Sequence, residues 1–357
     1  MTMKILAINP GSTSTKIAVF ERDKNIFQVT LRHSSDELKP FASVAEQFAF
    51  RREVILSELK KAGVSVSEVS VVVGRGGVVK PIESGVYEVN EAMKSDLRTA
   101  KYGEHASNLG ALIADDIARS LPAAKAYIAD PVVVDEMQDV ARVTGLPIFT
   151  RKSIFHALNQ KAIARTYARE QGKKYEELNL IVAHLGGGIS VGAHRQGRIV
   201  DVNNAIGGDG AFSPERSGTT PALQLVEACF SGKYAKAELS KMLVGSGGLV
   251  AHLGTNEAQK AVALAEQGDE QARLVVNAMC YQVGKEIGAA AAVLHGKVDA
   301  VLITGGIAHN RLVTEYIKQM TSFIAPVGIY PGEDEMAALV ENITQMLDGK
   351  LPLKIYI

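Results

Sequence analysis

The sequence has no excess charge of either sign: lysine plus arginine and aspartate plus glutamate number 39 each. No global field draws the chain to nucleic acid or to an anionic membrane, so neither is expected as a partner. Any anion it binds must be held by local groups. Cysteine is scarce. Cys229 and Cys280 are the two in 357 residues. They are too few and too far apart for a disulfide scaffold, a cysteine metal site or a cysteine-ligated iron–sulfur centre. Long apolar runs are missing as well. The apolar residues 289–294 fall well short of the ~20 that a membrane helix needs. The chain opens into strand-like residues without the basic stretch and long apolar segment of a leader, so a cytoplasmic protein is expected.

What is present is a large apolar fraction, 46% against 22% charged, enough for a sizeable core in two or three domains. Residues 5–8 (Ile-Leu-Ala-Ile) form a continuous apolar run, as a strand buried on both faces does. Asn9-Pro10-Gly11 is turn chemistry, and residues 17–20 restart the strand. The tip between, Ser12-Thr13-Ser14-Thr15-Lys16, carries four hydroxyls and an ammonium. Such a hairpin tip suits a polyphosphate. It lacks the glycine–lysine spacing of a P-loop, and a strand rather than a helix follows it.

Further on, residues 69–73 read as a buried strand ending in Gly74-Arg75-Gly76-Gly77, and the carboxyl end of a strand is where open α/β sheets place ligands. Strands and helices alternate through the first half, giving an α/β class, with a helix predicted over 154–170. Residues 178–184 then begin the pattern again: a strand, Leu185-Gly186-Gly187-Gly188, and two more strands. Asn9-x-Gly11 and His184-x-Gly186 occupy matching points, a weak repeat that suggests a duplicated domain. A strand over 300–304 runs into Gly305-Gly306, a step that lets a flat group or phosphate lie against backbone.

Taken together, Asn9 to Lys16, Gly74-Arg75-Gly76-Gly77, Ile154-Phe155-His156, His184 to Gly188, Arg216-Ser217-Gly218 and Thr304-Gly305-Gly306-Ile307 resemble the acetate and sugar kinase, heat-shock chaperone and actin superfamily. Within it they are similar to the acetokinase family, most of all to its butyrate-phosphorylating members, over nearly the whole chain. The resemblance implies two duplicated RNase H-like domains, the actin-like ATPase fold, flanking a nucleotide cleft. They are expected over 1–152 with 337–357, and over 153–336. It implies ATP- and Mg²⁺-dependent, reversible phosphorylation of a short-chain carboxylate to an acyl phosphate and ADP, by a homodimer or higher homo-oligomer.

Site roles carry over from the resemblance. Asn9, Gly11, Ser12, Thr13, Ser14 and Lys16 correspond to a first phosphate loop, with Asn9 also near the metal. His184, Gly186, Gly187 and Gly188 correspond to a second, and Gly305 and Gly306 to the adenosine step. Arg75 and Arg216 match the arginines that hold substrate carboxylate and transferring phosphoryl. His156 matches a transition-state histidine, Asp130 an aspartate that positions these cations, and His105 a second active-site histidine. Glu335 is the best match to the Mg²⁺ ligand, with Glu333 and Asp334 as neighbours in an uncertain register.

These roles make chemical sense. A carboxylate is already ionised at neutral pH, its unperturbed pKa being about 4, so it needs no general base, whereas a sugar hydroxyl does. The obstacle is one anion approaching another, and cations should dominate the site. Acetate kinases usually carry two bulky aliphatic residues where Gly76 and Gly77 stand. The missing side chains are expected to open room for extra methylenes, each worth about 0.8 kcal/mol, with Phe155 as a pocket wall, favouring butyrate or isobutyrate over acetate. A sugar kinase using Asp130 as base, or an ATPase module of the actin or chaperone kind, are the alternatives.

Overall fold

The computed structural model describes residues 3–357 and divides into two compact units. One runs to Val134 and takes up the chain again from Asp334 to Ile357; the other is Asp135–Glu333.

The first unit is built on a seven-stranded sheet in the order β12-β5-β6-β4-β1-β2-β3. Its strands are β1 (Lys4–Pro10), β2 (Ser14–Glu21), β3 (Lys24–Arg32), β4 (Val69–Arg75), β5 (Val86–Glu88), β6 (Lys125–Ala129) and β12 (Leu353–Lys354). Ile5, Leu6, Ala7 and Ile8 are fully buried, as the unbroken apolar run requires of a central strand. β1 pairs antiparallel with β2, Ile8 opposite Ile17, and parallel with β4, Ile8 opposite Gly74. The helices Phe48–Lys61, Asn108–Arg119 and Glu335–Leu347 complete the layers. The C-terminal residues return to this unit: β12 pairs with β5, and the buried Tyr356 donates its hydroxyl to Asp96 (2.8 Å).

The second unit has a five-stranded sheet in the order β11-β10-β7-β8-β9: β7 (Asn179–Leu185), β8 (Ile189–Arg195), β9 (Arg198–Val202), β10 (Ala300–Gly305) and β11 (Val327–Pro331). Three antiparallel strands in series, followed by parallel strands on the far side of the first, recur in both units. This is the duplication that the repeated openings suggested, in the RNase H-like arrangement that the resemblance implied. The long helix Glu270–Val293 and the helix Arg311–Thr321 cover one apolar core of this sheet. The helix Ala157–Glu170 belongs to the packing of a second.

The segment after Val134 joins the second unit through specific polar anchors. Glu136 accepts from the buried Lys161 ammonium (2.9 Å) and from Ile199 N–H (2.9 Å), and Arg151 donates to Asp201 (2.9 Å). Both cysteines are unpaired, Cys229 exposed and Cys280 buried, and burial pushes the Cys280 thiol up to about 12. Among the described residues no helix is long and apolar enough to cross a membrane.

Candidate active site

In the first unit, β1, β4 and β6 are parallel neighbours whose registers place Ile8 opposite Gly74 and Arg75 opposite Ala129. Asn9, Arg75 and Asp130 therefore leave the sheet side by side at its carboxyl edge. Glu335 reaches them from the first turn of the helix Glu335–Leu347. It accepts from the Asn9 amide on Oε2 and pairs with Arg75 Nη1 through Oε1 at 2.5 Å. The three consecutive acids take three separate places. Glu333 Oε1 lies 3.5 Å from His184 Nε2 in the second unit, Asp334 caps the helix by accepting from Ala337 N–H, and Glu335 joins Asn9 and Arg75. Asp130 is buried, and Oδ1 accepts from Ser84 Oγ (2.6 Å) and Gly85 N–H (2.9 Å). Its φ of +39° is a left-handed conformation that costs a non-glycine residue energy and clusters at functional sites. His105 lies in the loop before the helix Asn108–Arg119, with Nδ1 engaged by Ser107 Oγ (2.8 Å) and N–H.

The hairpin tip is clamped by a residue that sequence reasoning passed over. Arg51 is fully buried on the helix Phe48–Lys61. Its guanidinium donates to the carbonyls of Gly11 (2.7 Å), Ser12 (2.8 Å) and Ser14 (2.9 Å) and to Thr15 Oγ1 (3.1 Å). His33 N–H takes the Thr13 carbonyl (2.8 Å). The tip's carbonyl dipoles are thus satisfied, while Ser12 and Thr13 remain exposed. This bias favours an anion. Thr15 Oγ1, an acceptor from Arg51, also hydrogen-bonds His33 Nε2 (2.9 Å). Burial, and then the Arg51 charge, hold His33 below its usual range, with Glu37 opposing the shift.

In the second unit, the β7–β8 turn is Gly186-Gly187-Gly188. The Gly187 carbonyl accepts from Ser213 Oγ (2.6 Å). Arg216 donates to the Ala205 carbonyl (2.7 Å), and burial lowers its pKa while Glu215 opposes that shift. A Cβ on Gly188 would stand 1.5 Å from Arg216 Nη1, so the slot for this guanidinium exists only because residue 188 has no side chain. His156 and His184 stack with ring centroids 3.8 Å apart and planes within 13°. His184 Nδ1 bonds Asn159 Oδ1 (2.7 Å). A cleft of about 360 Å³, open to solvent, is lined by Gly186, Gly187, Gly306, Ile307, Asn310 and Glu333 among others. It brings Gly186 and Gly187 of the β7–β8 turn and Gly306 to one cavity.

Two expectations are corrected. The helix predicted over 154–170 begins at Ala157, and Phe155 and His156 precede it. His156 occupies the N-cap position without capping the helix, and its ring nitrogen bonds Ser190 instead (Nδ1 to Oγ, 2.9 Å). Phe155 is buried. Gly76 and Gly77 are also buried, and the side-chain space they give up is already filled. A Cβ on Gly76 would meet Pro131 Cβ at 2.6 Å, and one on Gly77 would meet Asn108 Cα and Oδ1 at 2.5 Å. These glycines permit close packing and open no volume for methylenes along their Cβ directions.

Gly77→Val is therefore expected to destabilise the first unit by about 1–3 kcal/mol or more, as overpacking does, with the acid preference of the folded fraction unchanged. Thermal melts and a chain-length series check this. A variant as stable as the parent but shifted toward acetate would restore the open-pocket reading.

Residues 146–337 match the acetokinase family. Over 356 residues the chain is 56% identical to butyrate kinase 2 of Clostridium acetobutylicum, covering 100% of both. Among solved structures, acetate kinase of Porphyromonas gingivalis has a TM-score of 0.77 at 20% identity, covering 96% of this chain and 99% of that one. A propionate kinase of Francisella tularensis subsp. tularensis has 0.74 at 18%, covering 95% and 98%. At those identities the likeness speaks for the actin-like ATPase fold of the kinases. Full-length identity to the clostridial protein, with the family match over more than half of the residues, shows that the chain belongs to the acetokinase family.

Proposed function

We propose that the protein transfers the γ-phosphoryl group of ATP, reversibly, to the carboxylate of a short-chain fatty acid of butyrate size, straight or branched, giving an acyl phosphate and ADP. The observation that carries this reading is the end-to-end 56% identity to butyrate kinase 2. With Gly76 and Gly77 packed against Pro131 and Asn108, the preference for a four-carbon acid rests on that identity alone.

The site chemistry agrees with a carboxylate acceptor. A carboxylate oxygen forms the new bond to γ-phosphorus as the bond to the β–γ bridging oxygen breaks, and no proton has to leave. What the reaction needs is neutralisation of converging anions. Arg75 in the first unit and Arg216 in the second are the cations assigned to it, with His156 as a hydrogen-bond donor to the transferring group. Asp130, pinned by Ser84 and Gly85, is assigned to positioning rather than to proton removal.

Glu335 and Asn9 offer a carboxylate and an amide oxygen, hard donors that fit Mg²⁺. Among the described residues no group of three or more His, Cys, Asp or Glu is gathered as a metal cage, in keeping with an ion that takes most of its ligands from phosphates and water. Bound there, Mg²⁺ would supply charge neutralisation at the phosphates.

Hydroxamate formation with ATP, Mg²⁺ and hydroxylamine across acetate, propionate, butyrate, isobutyrate and valerate tests the assignment, with a maximum expected at four carbons. Arg75→Ala and Arg216→Ala should each lower turnover roughly 10²-fold, as removal of a preorganised charge donor does. ATP hydrolysis without hydroxamate from any acid would favour a sugar-kinase or ATPase-module activity instead.

A further inference from the structure

We infer that a buried hydrogen-bonded chain, Ser190–Gln160–His194–Tyr175, holds His156 in a single neutral tautomer with its proton on Nε2, which makes Ser190 and Gln160 positioning residues for the reaction. The inference rests on the reading of His156 as the donor to the transferring phosphoryl group.

Every direction in the chain follows from one acceptor that cannot be anything else. The Ser190 backbone carbonyl sits 3.1 Å from one end of the Gln160 amide, which must therefore be the nitrogen, Nε2. The second hydrogen of Nε2 goes to Ser190 Oγ at 2.8 Å. The amide's other end, Oε1, then faces His194 Nε2 at 3.0 Å, so that nitrogen carries a proton. His194 is fully buried, and burial followed by the nearby Lys161 ammonium keeps it well below its ordinary range, hence neutral. Its Nδ1 is accordingly an acceptor and takes the Tyr175 hydroxyl proton at 2.7 Å.

Ser190 ends the chain at the site. Its hydroxyl accepts from Gln160, so its own proton needs an acceptor, and the residue is fully buried with no water surface to turn to. His156 Nδ1, 2.9 Å away, is the acceptor within reach. An Nδ1 that accepts leaves the proton of neutral His156 on Nε2. In the alternative tautomer Ser190 Oγ would accept from both Gln160 and His156, and its own buried hydroxyl proton would be left without a partner, a costly arrangement.

The fold supplies the room. Ser190, Gly192 and His194 alternate along one face of β8, and Ser190 stands opposite His184 of β7. A Cβ on Gly192 would fall 2.5 Å from Gln160 Oε1 and 3.1 Å from His194 Nε2. Glycine there lets the amide bridge the two polar side chains. On the helix Ala157–Glu170, Asn159 and Gln160 are consecutive buried polar residues, one assigned to His184 and the other to this chain.

The test is spectroscopic. Protein labelled with ¹⁵N-histidine, with His156 assigned by loss of its signals in His156→Gln, is examined by long-range ¹H–¹⁵N correlation near pH 7.5. His156 and His194 should each show a protonated Nε2 and an unprotonated Nδ1. In Ser190→Ala the His156 signals should move to a mixture of tautomers. Turnover should fall about tenfold, with KM for ATP and acid within twofold.

A protonated Nδ1 or averaged tautomers in the unaltered protein would overturn the inference, as would a pure Nε2–H form or unaltered turnover in folded Ser190→Ala. The unaltered protein decides the matter even if the variant does not fold. Its tautomer is read without turnover, so this result stands apart from the hydroxamate assay that judges the kinase reading.

Discussion

Arg51→Met is expected to lower the stability of the first unit by about 3 kcal/mol and its melting midpoint by about 6–12 °C. At temperatures where the variant is folded, kcat/KM for ATP should fall roughly 10²-fold. The guanidinium is fully buried and serves three backbone carbonyls, those of Gly11, Ser12 and Ser14, besides Thr15 Oγ1 and Gln47 Oε1. Methionine fills much of the volume but returns no hydrogen bond, so partly buried acceptors lose their donor together.

The cost is asymmetric: making such bonds contributes modestly, whereas leaving the groups unsatisfied costs their full desolvation. Arg51→Lys should rescue only a minor part. An ammonium is a point charge on a flexible stem, and it cannot reach Gly11, Ser12 and Ser14 at once as a planar fork does. The measurements are thermal melts and KM for ATP at low temperature. A variant melting within 2 °C of the parent with an unaltered KM for ATP would show that the clamp neither supports the fold nor shapes the hairpin tip.

Arg51 also shows where sequence reading fails. In the sequence Arg51-Arg52 is simply an adjacent pair of charges. The available signal was spacing: Arg51 stands four residues before Ile55 and eight before Leu59, and all three are fully buried. A charge on the apolar stripe was a reason to look for several partners, since a buried guanidinium needs them. The polar pair Asn159-Gln160 was hidden in the same way, because its partners lie on strands far along the chain.

What was legible had local causes. The apolar runs of β1 and β7 are buried on both faces, and the two glycine-containing turns sit at matching points of the duplicated openings. β11 was not legible: Val327-Gly328-Ile329-Tyr330-Pro331 is a partly exposed edge strand, interrupted by glycine and closed by proline. Gly76-Gly77 was visible as missing side chains, but a sequence does not say whether ligand or protein fills the space they leave. Here Pro131 and Asn108 do.

Gly188→Ala should lower turnover as much as Arg216→Ala does, by 10²-fold or more, although it adds a single methyl group. Gly188 does not have the left-handed φ that excludes side chains, so alanine meets no backbone penalty there. The penalty is space: its Cβ would lie 1.5 Å from Arg216 Nη1 and 2.7 Å from Cζ. The guanidinium must shift from its place beside the Ala205 carbonyl, to which it donates at 2.7 Å. If the proposed role of Arg216 is right, the two single variants lose the same charge from the same place, each about 2.7 kcal/mol of transition-state stabilisation. The double variant should then be little slower than either one. A merely structural role for the triple-glycine turn gives a different pattern, in which each change adds its own loss, as independent sites do. Gly188→Ala keeping more than half of the parent turnover, or a double variant slower by the product of the two single losses, would remove Arg216 from the reacting centre.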